Sequence, residues 1–526
     1  MVNTTANSSV VTSDVRVAHF QICFAIFLVI FVVGCLSNAQ AAEWKFVPTI
    51  GLTETHTDNV RLVIDGKNEG ANITQISPGF TISANGQRLK LQANYVLQSS
   101  YYSGVTSETK NNHLLRANAN IAFVERLFFI DGNANITQQN LTPFGQVTDN
   151  NLNLSNNKVE VKTYNVAPYF RHNFDNKVTG ELRYSYDSVV SSATTQSKSS
   201  PNSTSDNVLF NLVSGSAFKT TNWGVNYNVQ HIHFDRQAPL ETEMLALNFG
   251  YSVTPLFKAT ATAGHEKNTY VSIGEKPPGN FGTVGFAWTP SQRTNLVFNA
   301  GQRFFGKTFG LTFNQRARVS MWSLGYNEDV TTTRGQFLLP ATSDTSAFLN
   351  QLWQTTIPDA ATRQQRVDNF IRDSGLPAAL AQPINTFTNQ VFLQRSLQGS
   401  IGVTGVQNTI VFNLFNNIRE PLSTGGLDAV LNPSLLRKIK QTGVNGLWNV
   451  QLSPRTNASV SAGYSKAETL ETTLADNTRT FRASISRQLQ QKIKASVELR
   501  RLQRVSTIAA GNYKENAITL YLYLGF

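Results

Sequence analysis

Cysteine is almost missing from this chain of 526 residues: only two occur, Cys23 and Cys35, both near the start. A mature chain released from that leader has neither a disulfide framework nor a cysteine metal site. Such a chain suits passage through the oxidising periplasm, where stray thiols are oxidised. Charge is scarce as well, at 15% of residues, against roughly 25% in ordinary globular domains. Hydrophobic residues make up 40%, below the roughly 45–50% of such domains, and that is poor material for a dry two-layer core. Beyond the leader, no apolar run reaches the roughly twenty residues a transmembrane helix needs. No interdomain linker marks the several domains that a soluble chain of this length would contain. A nucleophile elbow, phosphate loop, paired-carboxylate motif and HExxH are all missing, so the sequence predicts no enzyme and no cofactor.

What fills the gap is polar and aromatic. There are 33 Phe and 15 Tyr, set among Asn, Thr, Ser and Gln, a mixture that suits a sheet with one apolar and one wet face. The first 42 residues read as an export signal. Arg16 and His19 precede an apolar run from Phe20 to Val33, followed by Ala39-Gln40-Ala41, the charged, apolar, small-x-small order of a secretory peptide. Cleavage after Ala41 or Ala42 is expected. Val32-Val33-Gly34-Cys35 resembles a lipoprotein processing site, so lipidation at Cys35 stands as the alternative. With no apolar helix in the mature chain, any membrane crossing must be made by strands.

Period-2 patterning is widespread. In Ala517–Phe526, Ile518, Leu520, Leu522, Leu524 and Phe526 share one face, and Thr519, Tyr521, Tyr523 and Gly525 the other. About ten residues of such a strand cross a tilted barrel wall. Tyr521, Tyr523, Leu524 and the final Phe526 also resemble the C-terminal signal recognised by outer-membrane assembly machinery, which is therefore an expected partner. Weaker copies of the pattern run through the chain, at Leu89–Tyr101, Trp223–Phe234, Thr409–Ile418 and Ile493–Leu502 among others. Their connections alternate between tight turns, such as Asn85-Gly86 and Thr254-Pro255, and long polar loops, such as Ile136–Lys158, Val190–Asn207 and Gln503–Asn516. Short periplasmic turns and long outer loops are the topology of bacterial barrels. The sequence thus predicts an all-β, transmembrane, antiparallel outer-membrane β-barrel of about 18–22 strands. The upper count requires that Thr308–Tyr326 divide into two strands.

One region breaks the rhythm. Residues 329–395 contain Thr345–Thr355, Ala360–Arg372 and Ala378–Gln390, where apolar spacing turns helical,. The expected division is a signal peptide (1–42), a first barrel part (43–328), a helical insert (329–395) and a second barrel part (396–526). Phe348, Leu352, Trp353 and Phe370 are the apolar residues expected to seat the insert as a plug, in or over the outer mouth, since large barrels are often closed in that way. Strand parity places this insert, and a smaller one over 420–440, on the outer-loop side.

The mature chain opens with Trp44-Lys45-Phe46-Val47-Pro48, then Gly51-Leu52 and Glu54-Thr55-His56-Thr57-Asp58-Asn59-Val60-Arg61-Leu62. Asn389–Arg395 (Asn-Gln-Val-Phe-Leu-Gln-Arg) and Ile410–Phe415 (Ile-Val-Phe-Asn-Leu-Phe) follow later. These segments resemble the outer-membrane β-barrels of the PEP-CTERM/exosortase system, which accompany exopolysaccharide genes in Gram-negative bacteria. His56 departs from the aromatic expected there. The resemblance implies a link to exopolysaccharide, and it carries no catalytic or binding residues across.

Other clusters invite chemistry. His231, His233 and Asp235 have a spacing that could ligate metal, but they share a face with Trp223, Val225, Tyr227 and Val229, which reads as lipid-facing with the histidines at headgroup level. No metal site is expected there. Asp58-Asn59, Asp149-Asn150, Asp206-Asn207 and Asp476-Asn477 are expected in outer loops as Asx turns, with divalent-cation binding as the sharper alternative. A net charge of +12 would fit nucleic acid, which an exported barrel does not meet. Phosphorylated lipopolysaccharide, membrane lipid or an anionic polysaccharide fit better as partners. The densest basic groups, Arg437-Lys438-Ile439-Lys440 and Arg500-Arg501 with Arg504, read as solvated loop edges. Three functions remain open: export of an exopolysaccharide or related envelope polymer, a plugged scaffold for protein sorting or anchoring, and a general porin.

Overall fold

The structure is a computed structural model. It describes residues 42–105, 109–148, 150–192, 202–235, 238–270, 279–338, 345–354, 356–359, 363–364, 366–367, 370, 387–388, 390–423 and 437–526. The leader, both cysteines, Asp149, most of the 420–440 insert and most of Ala378–Gln390 lie outside the described residues.

Strands form wherever polar and apolar residues alternate. The first eight are β1 (Glu43–Thr57), β2 (Ala71–Asn85), β3 (Leu89–Ser103), β4 (Thr109–Val124), β5 (Phe128–Asn140), β6 (Lys158–Phe174), β7 (Val178–Ser191) and β8 (Ser203–Ser214). The next seven are β9 (Thr221–Phe234), β10 (Leu240–Thr254), β11 (Phe257–Asn268), β12 (Asn280–Ser291), β13 (Thr294–Arg303), β14 (Gly306–Arg316) and β15 (Ser320–Thr332). Two short helices follow, α1 (Thr333–Leu338) and α2 (Thr345–Leu352). The chain then completes the wall with β16 (Val391–Thr404), β17 (Asn408–Pro421), β18 (Ile439–Ser453), β19 (Thr456–Thr469), β20 (Ala475–Gln490), β21 (Ile493–Ser506) and β22 (Tyr513–Gly525).

Each strand pairs antiparallel with its sequence neighbours, and β22 returns to pair with β1 from Thr49↔Gly525 to Thr57↔Ala517. The 22-stranded sheet therefore has no free edge, as a wall without water to satisfy edge groups must. The division of Thr308–Tyr326 is present, with the turn at residues 317–319 between β14 and β15.

The outer surface is apolar. Along β10, Leu245, Leu247, Phe249, Tyr251 and Val253 are exposed, while Ala246 between them is buried. Along β22, Ile518 and Leu520 face out and Ala517 and Thr519 face in. Exposed Trp44, Trp288, Trp322 and Trp448 extend this surface around the ring. An apolar belt of this extent far exceeds the few hundred Å² that water-facing surfaces tolerate, and lipid is the solvent that fits it.

Tight turns lie at one end, the periplasmic one, and longer connections at the other. The connection between β13 and β14 departs from this alternation. Only Phe304-Phe305 separates the paired Arg303 and Gly306, and Gly306 takes φ 117° to complete the turn. Strands also run further than the patterning predicts. β7 ends at Ser191 and β8 begins at Ser203, so the expected Val190–Asn207 loop shrinks to 192–202. Above the lipid belt the outward face no longer needs apolar residues, so the period fades while ladder hydrogen bonds continue. For the same reason β15 and β16 stay paired up to Thr332↔Val391, and the insert proper spans 333–390.

Candidate functional site in the lumen

The inner wall carries paired charge. Arg504 of β21 binds Asp476 of β20, and both side chains are nearly inaccessible. Arg500 Nη2 donates to Glu515 Oε1 at 2.9 Å, and the same oxygen accepts from Thr57 Oγ1 at 2.8 Å and Asn153 Nδ2 at 2.7 Å. Arg303 holds Glu266 at 2.7 Å, and Arg183 holds Asp131 at 2.7 Å. These placements correct two expectations. Arg500 and Arg504 are not a solvated loop edge but buried ion-pair partners inside the barrel. Asp476-Asn477 and Asp206-Asn207 lie within β20 and β8 rather than in loops.

Asn59 and Asn150 of the other two pairs do turn the backbone. Val63 N donates to Asn59 Oδ1 at 3.0 Å, and Leu152 N to Asn150 Oδ1 at 2.9 Å. Lys438 pairs with Glu420 at 2.9 Å and Lys440 with Glu468 at 3.7 Å, so that basic cluster is matched by carboxylates. His231 and His233 are exposed beside buried Ile232, and His231 Nε2 lies 3.5 Å from Glu241 Oε1.

Three segments fold into the lumen. The 141–157 loop, leaving β5, reaches β22 and the 58–70 loop. Tyr513 Oη donates to the Val147 carbonyl at 2.9 Å, and Gln146 Nε2 to the Arg61 carbonyl at 2.8 Å. Leu152 completes an apolar cluster with Val60, Ile73 and Tyr102. The third segment is the insert. Its α1 joins walls that are nearly opposite in the ring: Arg334 Nη2 donates to the Asp187 carbonyl of β7 at 3.2 Å, and Gln336 Oε1 accepts from Arg419 of β17 at 2.5 Å. Burial pushes the Arg334 guanidinium down to about 10. Phe337 and Phe387 pack with Val161 and Val189 at the same level.

Further along, α2 turns Phe348, Leu349 and Leu352 onto one face, the spacing of an amphipathic helix. Leu349, Leu352 and Trp353 form a buried cluster with Val367 and with Met321 and Val411 of the wall, and Phe348 and Phe370 pack against it. Trp353 and Phe370 meet edge to face at 5.2 Å. Met321 and Val411 stand close to the tight turns of β14–β15 and β16–β17. The expected plug residues thus come together, but not at the outer mouth. They sit near the periplasmic end. Parity fixes where the insert leaves and rejoins the wall, whereas its depth follows from apolar Met321, Val411 and Gly402 on an otherwise wet face.

On β22, Tyr521 and Tyr523 point inward as the alternation predicts, and Leu524 lies on the outward face. Phe526 is exposed, and its backbone N–H donates to the Pro48 carbonyl at 3.0 Å. Sequence reasoning missed the Glu515 constellation. Its signal is the inward triplet Tyr513, Glu515, Ala517, where a carboxylate replaces the small polar residues usual on that face.

A closed antiparallel barrel with an apolar outside and a charged inside defines an outer-membrane β-barrel protein, and this chain is one,. No protein-family model and no curated protein matches it. Among solved structures it is similar to the ferric enterobactin receptor PfeA of Pseudomonas aeruginosa, with TM-score 0.45 and 9% identity over 93% of this chain and 81% of that one. It is also similar to the siderophore receptor PirA of Acinetobacter baumannii, with TM-score 0.47 and 8% identity over 92% of this chain and 80% of that one. OccAB1 of Acinetobacter baumannii aligns with TM-score 0.35 and 8% identity, over 93% and 98% of the two chains.

Proposed function

We propose that this protein is a gated barrel through which an exopolysaccharide or related envelope polymer leaves the cell, in a PEP-CTERM/exosortase-linked system. The observation that carries the reading is the seat of the described insert residues, 333–338 and 345–354 with Val367, Phe370 and Phe387. The insert obstructs the lumen through side-chain packing on Met321 and Val411, while β15 and β16 pair along their whole length without it. An obstruction that the wall does not need for its own hydrogen bonds is one that can move. The polymer assignment rests on the segments resembling the exosortase-linked barrels. Replacing 333–390 by a tight turn between Thr332 and Val391 tests the gate. The shortened protein is expected to insert normally, to conduct more in a planar bilayer than the intact chain, and to make polysaccharide secretion leaky or fail. Unchanged conductance would remove the gate and favour the scaffold reading, in which the filled lumen holds partners for sorting or anchoring.

A further inference from the structure

The lipid-facing surface of β18–β22 is interrupted near its outer end. Along β21 the alternation sends Arg500, Leu502 and Arg504 into the barrel, where they are buried, and Leu499, Arg501, Gln503 and Val505 outward. Leu499 and Val505 are exposed, so Arg501 and Gln503 form a polar step within an apolar face. Neighbouring strands carry the same step. On β19, Lys466 and Glu468 stand between exposed Tyr464 and Leu470, and on β20 exposed Arg479 precedes exposed Phe481. Register lines these steps up, because Tyr464 pairs with Arg479, Arg479 with Gln503, and Arg501 with both Phe481 and Asn516. Lys466, Arg479 and Arg501 are thus diagonal neighbours on successive strands, which lie about 7–8 Å apart. Lys440 of β18 and Lys514 of β22 continue the row on either side. Glu468 serves Lys440 at 3.7 Å and Lys466 at 2.5 Å, and Asp65 pairs with Lys514 at 3.1 Å. Asp58, beside Arg501's partner Asn516, is held by that amide at 2.7 Å.

We propose that this row binds the phosphates of a lipopolysaccharide, whose acyl chains lie on the apolar face below it. The site goes beyond the export reading and does not depend on what the lumen carries. A cation on the lipid-facing wall costs free energy that grows with depth, and an anionic lipid headgroup beside it offsets that cost. Leu470 and Val505 on the outer side place the row within the lipid-covered wall and not among the loops. A soluble acidic polymer would meet the loops first, whereas this row opens sideways into the membrane. Its outer-end position selects the outer-leaflet lipid over phospholipid of the inner leaflet. Toward the periplasmic end, Phe481, Leu499, Ile518 and Leu520 are exposed and offer acyl chains a continuous surface. Arg479 and Arg501 hold the centre, and the planar fork of each matches a phosphate in two hydrogen bonds. Because they stand on adjacent strands, one lipid carrying two phosphates touches both.

The test is native mass spectrometry of the purified protein in a mild detergent, titrated with lipid. The probes are diphosphorylated lipid A, the same lipid with both phosphates removed, phosphatidylglycerol and inorganic phosphate. The diphosphorylated lipid should bind, more weakly as salt rises, and the other two lipids should bind poorly. The Arg479→Gln/Arg501→Gln variant should lose affinity for it by about tenfold or more, since two charge-assisted contacts go. The Arg479→Lys/Arg501→Lys variant, which keeps the charges and loses the forks, should recover part of that loss. Heat-modifiable mobility on gels shows that each variant is a folded barrel. Should the Gln variant fail to assemble, the order of the probes on the unaltered protein decides alone. An unaffected Gln variant, or equal binding of the dephosphorylated lipid, would overturn the site. Equal binding of phosphatidylglycerol would reduce the row to a general anionic-lipid surface, and displacement of the lipid by inorganic phosphate would make it a free-phosphate site. Either result overturns the lipopolysaccharide assignment.

Discussion

At the scale of single residues, the lumen keeps its charges in pairs, and Arg504 with Asp476 is among the most enclosed, with side chains only 2% and 3% exposed. Such a pair adds little net stability, because desolvation offsets the attraction, yet removing one partner strands the other and costs about 3–5 kcal/mol. Asp476→Asn should therefore lower the stability of the folded barrel by about that much, read as the urea midpoint of its heat-modifiable band in lipid. The Asp476→Leu/Arg504→Met double variant should recover most of the loss. If the single variant is as mild as the double, water already solvates the pair. The sequence hides this contact for a physical reason. Both residues stand beyond the lipid belt, where outward positions are free to be polar, so Asp476 reads as loop and Arg504 as loop edge. Inward polar residues look the same in both settings, and only the ladder tells them apart.

At the scale of elements, the seat of α2 depends on a residue with no side chain. A Cβ built on Gly402 would lie 2.9 Å from Leu352 Cδ2 and 2.9 Å from Phe348 Cε1. Both neighbours are ends of side chains, so Gly402→Ala asks only for a small shift. Gly402→Leu would overfill the contact, and such overpacking costs about 1–3 kcal/mol. The strain should fall on the plug and not on β16, whose backbone pairs on both sides. The expected result is a normally assembled barrel with raised conductance for Gly402→Leu and nearly unchanged conductance for Gly402→Ala. Equal conductance in all three proteins would show that this contact does not hold the plug. The helical spacing of Phe348, Leu349 and Leu352 was legible in the sequence. Their partners were not, because Gly402, Met321 and Val411 become a receiving surface only once β15, β16 and β17 lie side by side.

At the scale of the whole molecule, the barrel was legible because lipid imposes one rule on every strand, and alternation at β10 or β22 reports it directly. The obstruction of the lumen follows no such repeated rule. It is built in two tiers from unrelated loops: the 141–157 loop latched to Tyr513, Glu515 and Arg61 near the outer mouth, and the insert reaching from β7 and β17 down to Met321. The tiers meet where Phe387 N donates to the Leu141 carbonyl at 2.9 Å and where Leu141 joins the apolar cluster of Phe387, Phe337 and Leu338. Elsewhere the loop packs on β2, β3 and β22 and the cluster around α2 on β15 and β17. Removing the insert alone should therefore leave the outer tier in place and open the pore only partly. Shortening 141–157 alone should free the mouth but leave the periplasmic end blocked, with little gain in conductance. Removing both should give a rise larger than the two single effects added together, because obstructions in series each limit the current until both are gone. Single-channel recordings on the three variants decide this. A full rise from the insert deletion alone would mean that the outer tier does not lie in the conduction path, and the lumen would then have one gate and not two.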